Sequence, residues 1–290
     1  MTGMRILLLG ANGQVGTELR RSLAPLGEVV AATRDGRLAN GGSCEAADLD
    51  DAGSLAALVE RIAPDVVANA AAHTAVDRAE DEPEAAMRAN ATAPAALAAA
   101  CLEAGARLLH YSTDYVFDGT GDRPYRPGDP TNPLGVYGAS KRAGELAIEA
   151  SGCRHLILRT AWVYAAHGHN FLRTMLRVAL RADASAHVLR RLADLNAPDR
   201  GTWHLTAAGS TTWHGFAEAI FDGAVSRGLL PRRPRVVPIA TADYPTRAAR
   251  PAYSVLDHSS LERDFSLSLP SWQDGLARVL DTLATAQARG

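Results

Sequence analysis

A tyrosine and a lysine lie one helical turn apart in the segment Tyr137-Gly138-Ala139-Ser140-Lys141. A helix at this point would place both side chains on one face. A phenol normally titrates near pH ~10, and an ammonium group beside it favours the phenolate and lowers its pKa. We therefore expect Tyr137, tuned by Lys141, to donate or accept a proton in an alcohol–ketone interconversion. The spacing also arises by chance on surface helices, so its weight depends on the segments that precede it.

Three glycines near the start of the chain lie between an apolar run and a helical pattern, with the spacing GxxGxxG rather than GxGxxG. Glycine permits a tight turn and lets backbone N–H groups approach a pyrophosphate, whose charge a helix N-terminus stabilises. This position between a strand and a helix predicts a dinucleotide site. The expected contacts are Gly10, Gly13, Gln14, Val15 and Gly16.

The second predicted strand ends in Ala32-Thr33-Arg34, where it should contact the adenosine ribose. An acidic residue there favours NAD, whereas a basic residue can pair with the 2′-phosphate of NADP. Arg34 therefore favours NADPH, with NADH and a merely solvated arginine as the alternatives. Asp48 is placed to hydrogen-bond the adenine amino group, and the small residues of Asn69-Ala70-Ala71-Ala72 would let the cofactor pack against the backbone.

Apolar runs and helical patterns alternate through the first half of the chain. The predicted strands are Arg5–Leu9, Glu28–Ala32, Asp65–Asn69, Arg107–Ser112 and His155–Thr160. The predicted helices are Gln14–Ala24, Ser54–Ile62, Glu84–Ala104, interrupted near Pro94, and Tyr137–Ser151. This order predicts an α/β fold with a doubly wound parallel Rossmann-type sheet over residues 1–160.

The alternation weakens beyond residue 160. We expect a smaller substrate-binding lobe over residues 161–290, with some segments returning to the first domain. Its predicted helices are Phe171–Arg181, Ala186–Leu195 and Trp213–Ser226, and its predicted strands are Gly201–Leu205 and Arg235–Pro238. The proline- and glycine-rich loop Gly119–Leu134 has a length that often covers an active site.

Bulk composition excludes several classes of protein. The chain has 30 basic and 32 acidic residues, for a net charge of -2. It has no stripe of basic residues of the kind that binds nucleic acid. No apolar run approaches the ~20 residues of a membrane span, and none resembles a cleaved leader. Three widely spaced cysteines fit neither a disulfide framework nor a zinc site. We expect a cytoplasmic protein, and the sequence leaves open whether it forms a homodimer.

Five strings carry a resemblance over nearly the whole chain, from Arg5 to about Trp272. They are Asn69–Asp77 (NAAAHTAVD), Tyr111–Phe117 (YSTDYVF), Arg159–Tyr164 (RTAWVY), Thr211–His214 (TTWH) and Arg250–Ser254 (RPAYS). With the glycine loop and the tyrosine–lysine pair, they resemble the extended short-chain dehydrogenase/reductase superfamily. The resemblance is closer still to the dTDP-4-dehydrorhamnose reductase family.

That resemblance implies the NAD(P)H-dependent reduction of the C4 ketone of dTDP-4-dehydro-6-deoxy-L-mannose to dTDP-L-rhamnose. Tyr137 would protonate the developing alkoxide, Lys141 would hold the nicotinamide ribose, and Thr113 would stabilise charge on the ketone oxygen. The substrate contacts implied are Thr113, Asp114, Trp162 and Arg250, the last on the nucleotide diphosphate. The further cofactor contacts implied are Leu49, Ala72, His73 and Thr74.

The chain departs from the family at two places. In the family, the helix matching Phe171–Arg181 is followed by a strand and an Asp-Gln-x-Gly-x-Pro-Thr loop, which have no counterpart between Arg181 and Ala186. Some members hold magnesium between subunits with glutamates, and Glu18 matches one such position. One carboxylate is a poor magnesium site, so we expect no tightly bound structural metal.

Two other functions stay open beside the reductase. One is the reduction of a related nucleotide-4-ketosugar. The other is a non-catalytic, dinucleotide-binding regulatory subunit of the same fold, such as that of methionine adenosyltransferase. Intact Thr113, Tyr137 and Lys141 favour an enzyme. A 4,6-dehydratase is disfavoured because Asp114 is not followed by a glutamate, and Arg34 argues against a 4-epimerase.

Overall fold

A computed structural model describes residues 3–161, 184–190, 198–243 and 245–289. The strands in these ranges are β1 (Met4–Leu9), β2 (Gly27–Thr33), β3 (Glu45–Ala46), β4 (Val66–Asn69), β5 (Arg107–Thr113), β6 (Arg154–Thr160) and β7 (Gly201–His204). They form one sheet in the order β3-β2-β1-β4-β5-β6-β7, with all neighbours parallel. The chain winds outward from β1 in both directions, which confirms the doubly wound α/β fold.

Helices cover both faces of this sheet. They are α1 (Gln14–Leu23), α2 (Ala52–Ile62), α3 (Val76–Ala79), α4 (Pro83–Met87), α5 (Ala93–Ala104), α6 (Val136–Ser151), α7 (184–190), α8 (Trp213–Ser226), α9 (Ser259–Phe265) and α10 (Trp272–Arg289). None of the helices in the described ranges combines the length and the apolar character that a membrane span needs.

The central strand β1 is fully buried along most of its length. Ile6 and Leu8 point to the core layer that contains α1 and α9, whereas Leu7 and Leu9 point to the layer that contains α2, α5 and α6. Because a parallel strand between two helical layers is apolar on both faces, it reads in the sequence as a continuous apolar run. This is why five strands of the first half, β1, β2, β4, β5 and β6, were predicted to within one residue at each end.

The predicted interruption near Pro94 is confirmed, and it takes a specific form. A π-helical turn, Arg88–Thr92, lies between α4 and α5, and Pro94 occupies the first turn of α5. Proline has no N–H to donate and is tolerated in a first turn. The extra residue of the π turn places Asn90 in the buried interior rather than on the helix surface.

The strand predicted at Arg235–Pro238 is wrong. These residues form no regular structure, and Val237 and Ile239 are 59% and 62% exposed. A strand needs a partner for its backbone groups, and no strand in the described ranges lies beside this segment. The predicted helix Phe171–Arg181 lies outside the described residues, as does the end of the helix predicted at Ala186–Leu195, whose first residues are helical in α7.

Segments from the second half return to the sheet. Strand β7 pairs with β6, and Phe265 of α9 and Val188 of α7 join the core layer of α1. By contrast, α8 and α10 form a separate apolar cluster around Phe216, Ile220 and Leu276. The division into two domains at residue 160 stays a prediction.

Candidate active site

The glycine loop lies at the carboxyl end of β1, and its glycines are required by close contacts. Gly10 adopts a left-handed φ of +75°, and a Cβ there would lie 2.8 Å from the backbone nitrogen of Ala71. A Cβ on Gly16 would overlap the carbonyl oxygen of Gly10 and lie 2.9 Å from the Cα of Ala11. Helix α1 starts after Gly13 with no side-chain cap, so its first N–H groups are available to an anion.

The loop that follows β2 is attached to the glycine loop by Asn12, a residue that the sequence analysis did not single out. The Asn12 amide Nδ2 donates to the carbonyl oxygen of Arg37 at 2.8 Å. The Thr33 hydroxyl accepts from the Arg37 backbone nitrogen at 3.0 Å and folds the same loop back. Arg34 therefore lies beside the glycine loop. Its side chain is 79% exposed and its Nε lies 3.9 Å from Oδ1 of Asp48.

The remaining residues predicted to line the cofactor lie on the same carboxyl edge of the sheet. Gln14 and Val15 occupy the first turn of α1, and Val15 packs on its core layer. Leu49 follows β3 and packs on the opposite layer. Each of these residues is partly buried. The predicted set therefore follows the carboxyl ends of four neighbouring strands, β1 to β4, which is the usual ligand position in such sheets.

The segment Ala72–Thr74, which follows β4, is held by a buried asparagine that the sequence analysis missed. Asn90 accepts from the His73 backbone nitrogen at 2.9 Å and donates to the His73 carbonyl oxygen at 3.0 Å. It also donates to the Ser140 hydroxyl at 3.0 Å. Asn90 thus ties the cofactor-side loop to α6. A π turn with an inward asparagine leaves no short motif, so only the break near Pro94 could have pointed to it.

Contacts of its first two residues position the candidate catalytic helix α6. The Val136 backbone nitrogen donates to Oε1 of Glu80 at 2.8 Å, which caps the helix. One residue later, the Tyr137 ring packs edge-on against Tyr115 at 5.5 Å. The Tyr137 hydroxyl lies close enough to the Thr113 side chain, at the end of β5, for Thr113 to lower its pKa. Two hydroxyl groups therefore meet at the carboxyl end of β5, as expected for a site that acts on a carbonyl oxygen.

The electrostatics of the pair differ from the sequence-based expectation. Burial raises the pKa of Tyr137 to about 12, although the nearby Thr113 side chain opposes this shift. Lys141 does not lower it, because its ammonium donates to the carbonyl oxygen of Tyr111 at 2.6 Å instead. The expectation that Lys141 makes this phenol acidic is therefore wrong for this arrangement. Burial also lowers the pKa of Lys141 to about 8, and the charge of Glu145 works against that change.

The predicted substrate contacts are placed unequally. Asp114 is buried and accepts a hydrogen bond from Thr113 at 3.1 Å. Arg250 donates to the Tyr115 hydroxyl at 2.9 Å and to Asp77 at 2.8 Å, so it joins the C-terminal part of the chain to this site. Trp162 lies outside the described residues. Arg250 is therefore brought to the crevice, in contact with the ring that packs on Tyr137.

Metal ligation has no support from a cluster of side chains. The described ranges contain no group of three or more His, Cys, Asp or Glu residues suited to an ion. Glu18 accepts from Arg21 at 3.4 Å on α1. The expectation that the chain has no tightly bound structural metal stays a prediction.

The family is shown by a match that covers most of the chain. The family model described as the RmlD substrate binding domain matches residues 4–186 and 178–285. The chain belongs to this family. A dTDP-4-dehydrorhamnose reductase of Salmonella typhimurium is 44% identical over 303 aligned positions, which cover 97% of this chain and 99% of the relative. One from Burkholderia thailandensis is 46% identical over 295 positions, with 93% and 96% covered.

Solved structures of the family have the same fold. A dTDP-4-dehydrorhamnose reductase of Clostridium acetobutylicum superimposes with a TM-score of 0.83 at 32% identity, and covers 97% of this chain and 99% of its own. A Bacillus anthracis homologue in complex with NADP gives 0.82 at 30% identity, with 97% and 100% covered. The dTDP-glucose 4,6-dehydratase DesIV of Streptomyces venezuelae, at 20% identity and 0.76, shares the fold alone.

The family match also bears on the predicted deletion. It is split into two segments, residues 4–186 and 178–285, which overlap at residues 178–186. The alignment with the Salmonella relative has 303 positions although this chain has 290 residues, so the relative has residues unmatched here. The break in the family match lies next to Arg181, and the absence of a family segment there stays a prediction.

Proposed function

We propose that this chain reduces the C4 ketone of dTDP-4-dehydro-6-deoxy-L-mannose to dTDP-L-rhamnose, with NADPH as the hydride donor. Relatives named dTDP-4-dehydrorhamnose reductase match nearly the whole chain at 42–46% identity. The observation that carries the proposal is the pair of hydroxyls from Tyr137 and Thr113 at the carboxyl end of β5. The glycine loop at the end of β1 lies on the same edge of the sheet.

Two features of the glycine loop support a dinucleotide site. Gly10 and Gly16 let the loop pack closely against the backbone of Ala70–Ala71 and against α1, and the start of α1 offers uncapped N–H groups to a pyrophosphate. Arg34 lies beside this loop with its charge largely in solvent, which suits the 2′-phosphate of NADPH. The bound cofactor supplies the hydride that reduces C4.

The residues of the chain manage the proton. Tyr137 donates its phenolic proton to the oxygen on C4, so that hydride and proton together convert the ketone into an alcohol. Because the pKa of Tyr137 is raised to about 12, the phenol stays protonated at neutral pH and is available as the acid. Thr113 stabilises charge on the same oxygen through its hydroxyl. We infer that Arg250, which donates to the Tyr115 hydroxyl, pairs with the nucleotide diphosphate.

The test follows NADPH oxidation by its near-ultraviolet absorbance with dTDP-4-dehydro-6-deoxy-L-mannose, and separately with a 4-ketosugar on another nucleotide. We expect turnover with the dTDP sugar and much slower turnover with the other. NADPH binding is measured in parallel by the quenching of tryptophan fluorescence. Folded protein that binds NADPH but oxidises none of it with either sugar would overturn the proposal and favour the regulatory subunit. Faster turnover with the second sugar would reassign the substrate.

A further inference from the structure

Lys141 is the only lysine in the chain, since every other member of the 30 lysines and arginines is an arginine. Its side chain is 2% exposed. Arginine stays charged in proteins at any ordinary pH, whereas a buried lysine can lose its proton. A chain that uses arginine everywhere else has kept a titratable base at this one buried position. This raises the question of what governs its proton.

The answer lies in two buried polar residues behind Lys141. His110, on β5, is fully buried, and its Nε2 lies 3.2 Å from the Nζ of Lys141. On the other side of the ring, His110 Nδ1 lies 3.2 Å from the Nδ2 of Asn69. Asn69 and His110 are paired residues of β4 and β5. The three side chains therefore form a continuous line from β4 through β5 to α6.

The direction of each hydrogen bond in this line is fixed. The backbone N–H of Ala71 donates to Oδ1 of Asn69 at 3.1 Å, and an N–H can only donate. The amide Nδ2 of Asn69 must therefore face His110 and donate to Nδ1. A neutral imidazole whose Nδ1 accepts carries its proton on Nε2. That Nε2–H is aimed at the Nζ of Lys141, where it can donate to the lone pair of an amine but opposes the N–H bonds of an ammonium.

We propose that Asn69 and His110 are positioning residues that lock the Nε2–H tautomer of His110 and thereby favour the amine form of Lys141, making it a group that exchanges its proton. The consequence for catalysis rests on the proposed reductase function. An arginine could not replace the lysine in this role. The further bond from Lys141 to the Tyr111 carbonyl oxygen holds Nζ at the end of the line.

The other groups around Lys141 set a moderate proton affinity. On α6, the charge of Glu145 favours the ammonium, but Arg159 of β6 neutralises much of that charge at 2.7 Å. Tyr137, also on α6, is a neutral phenol. Strand β5 contributes His110 to these surroundings, and strand β4 contributes Asn69, which is uncharged. The pKa of Lys141 is lowered to about 8, and that of His110 lies well below its ordinary value because of burial and the charge of Lys141.

The first measurement uses the cofactor-free protein with ¹⁵N-labelled histidine. Two-bond proton–nitrogen correlations distinguish the two neutral tautomers, and the His110 signal among the nine histidines is the one lost in His110→Phe. We expect a protonated Nε2 and a bare Nδ1 above pH 8. A bare Nε2 in the wild-type protein would overturn the proposal.

The second measurement exploits the single lysine. A sample with ¹³Cε-labelled lysine gives one side-chain signal, whose pH titration reports the pKa of Lys141 alone. Asn69→Asp should accept from Nδ1, move the His110 proton there, and turn the bare Nε2 towards Lys141. The lysine midpoint should then rise by about one pH unit or more. A protonated Nε2 retained in Asn69→Asp, or an unmoved midpoint, would contradict the role of Asn69.

A matched control separates the imidazole from the added charge. The double variant His110→Phe/Asn69→Asp carries the same carboxylate without a ring to relay its effect. The Asn69→Asp shift in the lysine midpoint should be much smaller in this background than in the wild-type background. Equal shifts in the two backgrounds would show that the carboxylate acts through space, and the relay through His110 would be abandoned.

Activity supplies a separate readout. If reduction needs the ammonium of Lys141, kcat falls as pH rises through the pKa of Lys141, and Asn69→Asp should move this limb upward by the shift seen in the titration. Since tautomer and midpoint are measured without substrate, an inactive protein with the expected tautomer would refute the reductase function alone. An active protein with the opposite tautomer would refute only the role of Asn69 and His110.

Discussion

Glu145 and Arg159 form a buried, two-pronged ion pair between α6 and β6. The Arg159 Nε donates to Oε1 at 2.9 Å and Nη2 donates to Oε2 at 2.7 Å, with both side chains almost fully buried. Arg159 also donates to the carbonyl oxygen of Pro127 at 2.9 Å, in the long loop after β5. One turn before Glu145, the same helix carries Lys141. The pair therefore fixes the candidate catalytic helix α6 relative to the sheet and to the loop.

Removing one member of this pair should cost more than removing both. Arg159→Met removes the fully buried partner of the Glu145 carboxylate and leaves it only the half-buried Arg142, 2.9 Å away. We expect a loss of about 3 kcal/mol in the free energy of unfolding. Arg159→Met/Glu145→Gln should recover a large part of that loss, because the buried carboxylate is removed together with its arginine. Urea unfolding at neutral pH measures both variants. A double variant less stable than Arg159→Met would contradict this account.

The same pair predicts a dependence on acid. Burial alone would raise the pKa of Glu145, but the hydrogen bonds and charge of Arg159 outweigh it and hold the pKa below its ordinary value. Stability from a depressed carboxyl pKa is present above the unfolded pKa and is lost as pH falls through the folded one. The stability gap between wild type and Glu145→Gln should therefore narrow as the pH is lowered through the acidic range.

The role of Tyr137 is tested by Tyr137→Phe. The change removes the phenolic proton but keeps the ring that packs on Tyr115, so NADPH binding should be retained. We expect kcat to fall by about 10²–10⁴-fold, the usual contribution of a general acid. Steady-state turnover and equilibrium binding of NADPH measure the two effects. Turnover near the wild-type rate would show that another group supplies the proton.

Cofactor preference should depend on Arg34. Arg34→Ala is expected to weaken NADPH by about 10- to 100-fold, the scale of a hydrogen bond to a charged group, and to leave NADH nearly unchanged. The matched control is Arg5→Ala, which removes another exposed arginine at the amino end of β1, away from the crevice. Equal losses for NADPH and NADH, measured by fluorescence titration, would remove Arg34 from the phosphate site.

Close packing at the glycine loop is tested by Gly16→Ala. The new Cβ would overlap the Gly10 carbonyl oxygen, so α1 must move away from β1. We expect a loss of roughly 1–3 kcal/mol in stability and weaker binding of either cofactor. In the control Gly53→Ala, at the start of α2, the nearest atom is 3.5 Å from the added Cβ, an ordinary contact. Unchanged thermal stability in Gly16→Ala would contradict the predicted overlap.

Arg250 is either a structural tie or a substrate contact, and a pair of variants separates the two. Both Arg250→Met and Asp77→Asn remove the 2.8 Å ion pair between these residues. If Arg250 also binds the nucleotide diphosphate, only Arg250→Met should raise KM for the dTDP sugar, by about tenfold or more. Similar changes in KM for both variants would assign Arg250 to the structural tie alone.

The sequence predicted the elements whose patterning is local. Buried parallel strands are apolar runs, and the glycine loop and the Tyr137–Lys141 spacing have fixed offsets, so strands, helices and most of the candidate site could be located. The short strand β3 was missed because two residues carry no periodicity. Arg235–Pro238 has the composition of a strand, but strand formation depends on a partner elsewhere in the chain, which the local pattern does not report.

The rest of the site depends on contacts between distant residues. Asn90 and His110 lie in unremarkable sequence, and their roles come from a π turn and from strand register. The shift in the pKa of Tyr137 was predicted in the wrong direction. The spacing places Lys141 on the same helix face as Tyr137, but it does not reveal the direction in which the Lys141 ammonium points. Burial, which no motif records, then dominates.

Because Lys141 is the single lysine, it can be used to measure local unfolding around α6. A reagent that modifies side-chain amines has one target in this chain, and that target is almost fully buried. Covalent labelling of Lys141 can proceed only when local unfolding exposes its side chain, so the labelling rate reports the frequency of that unfolding. Saturation with a dinucleotide should lower the labelling rate of Lys141, whereas removal of the Glu145–Arg159 ion pair between α6 and β6 should raise it.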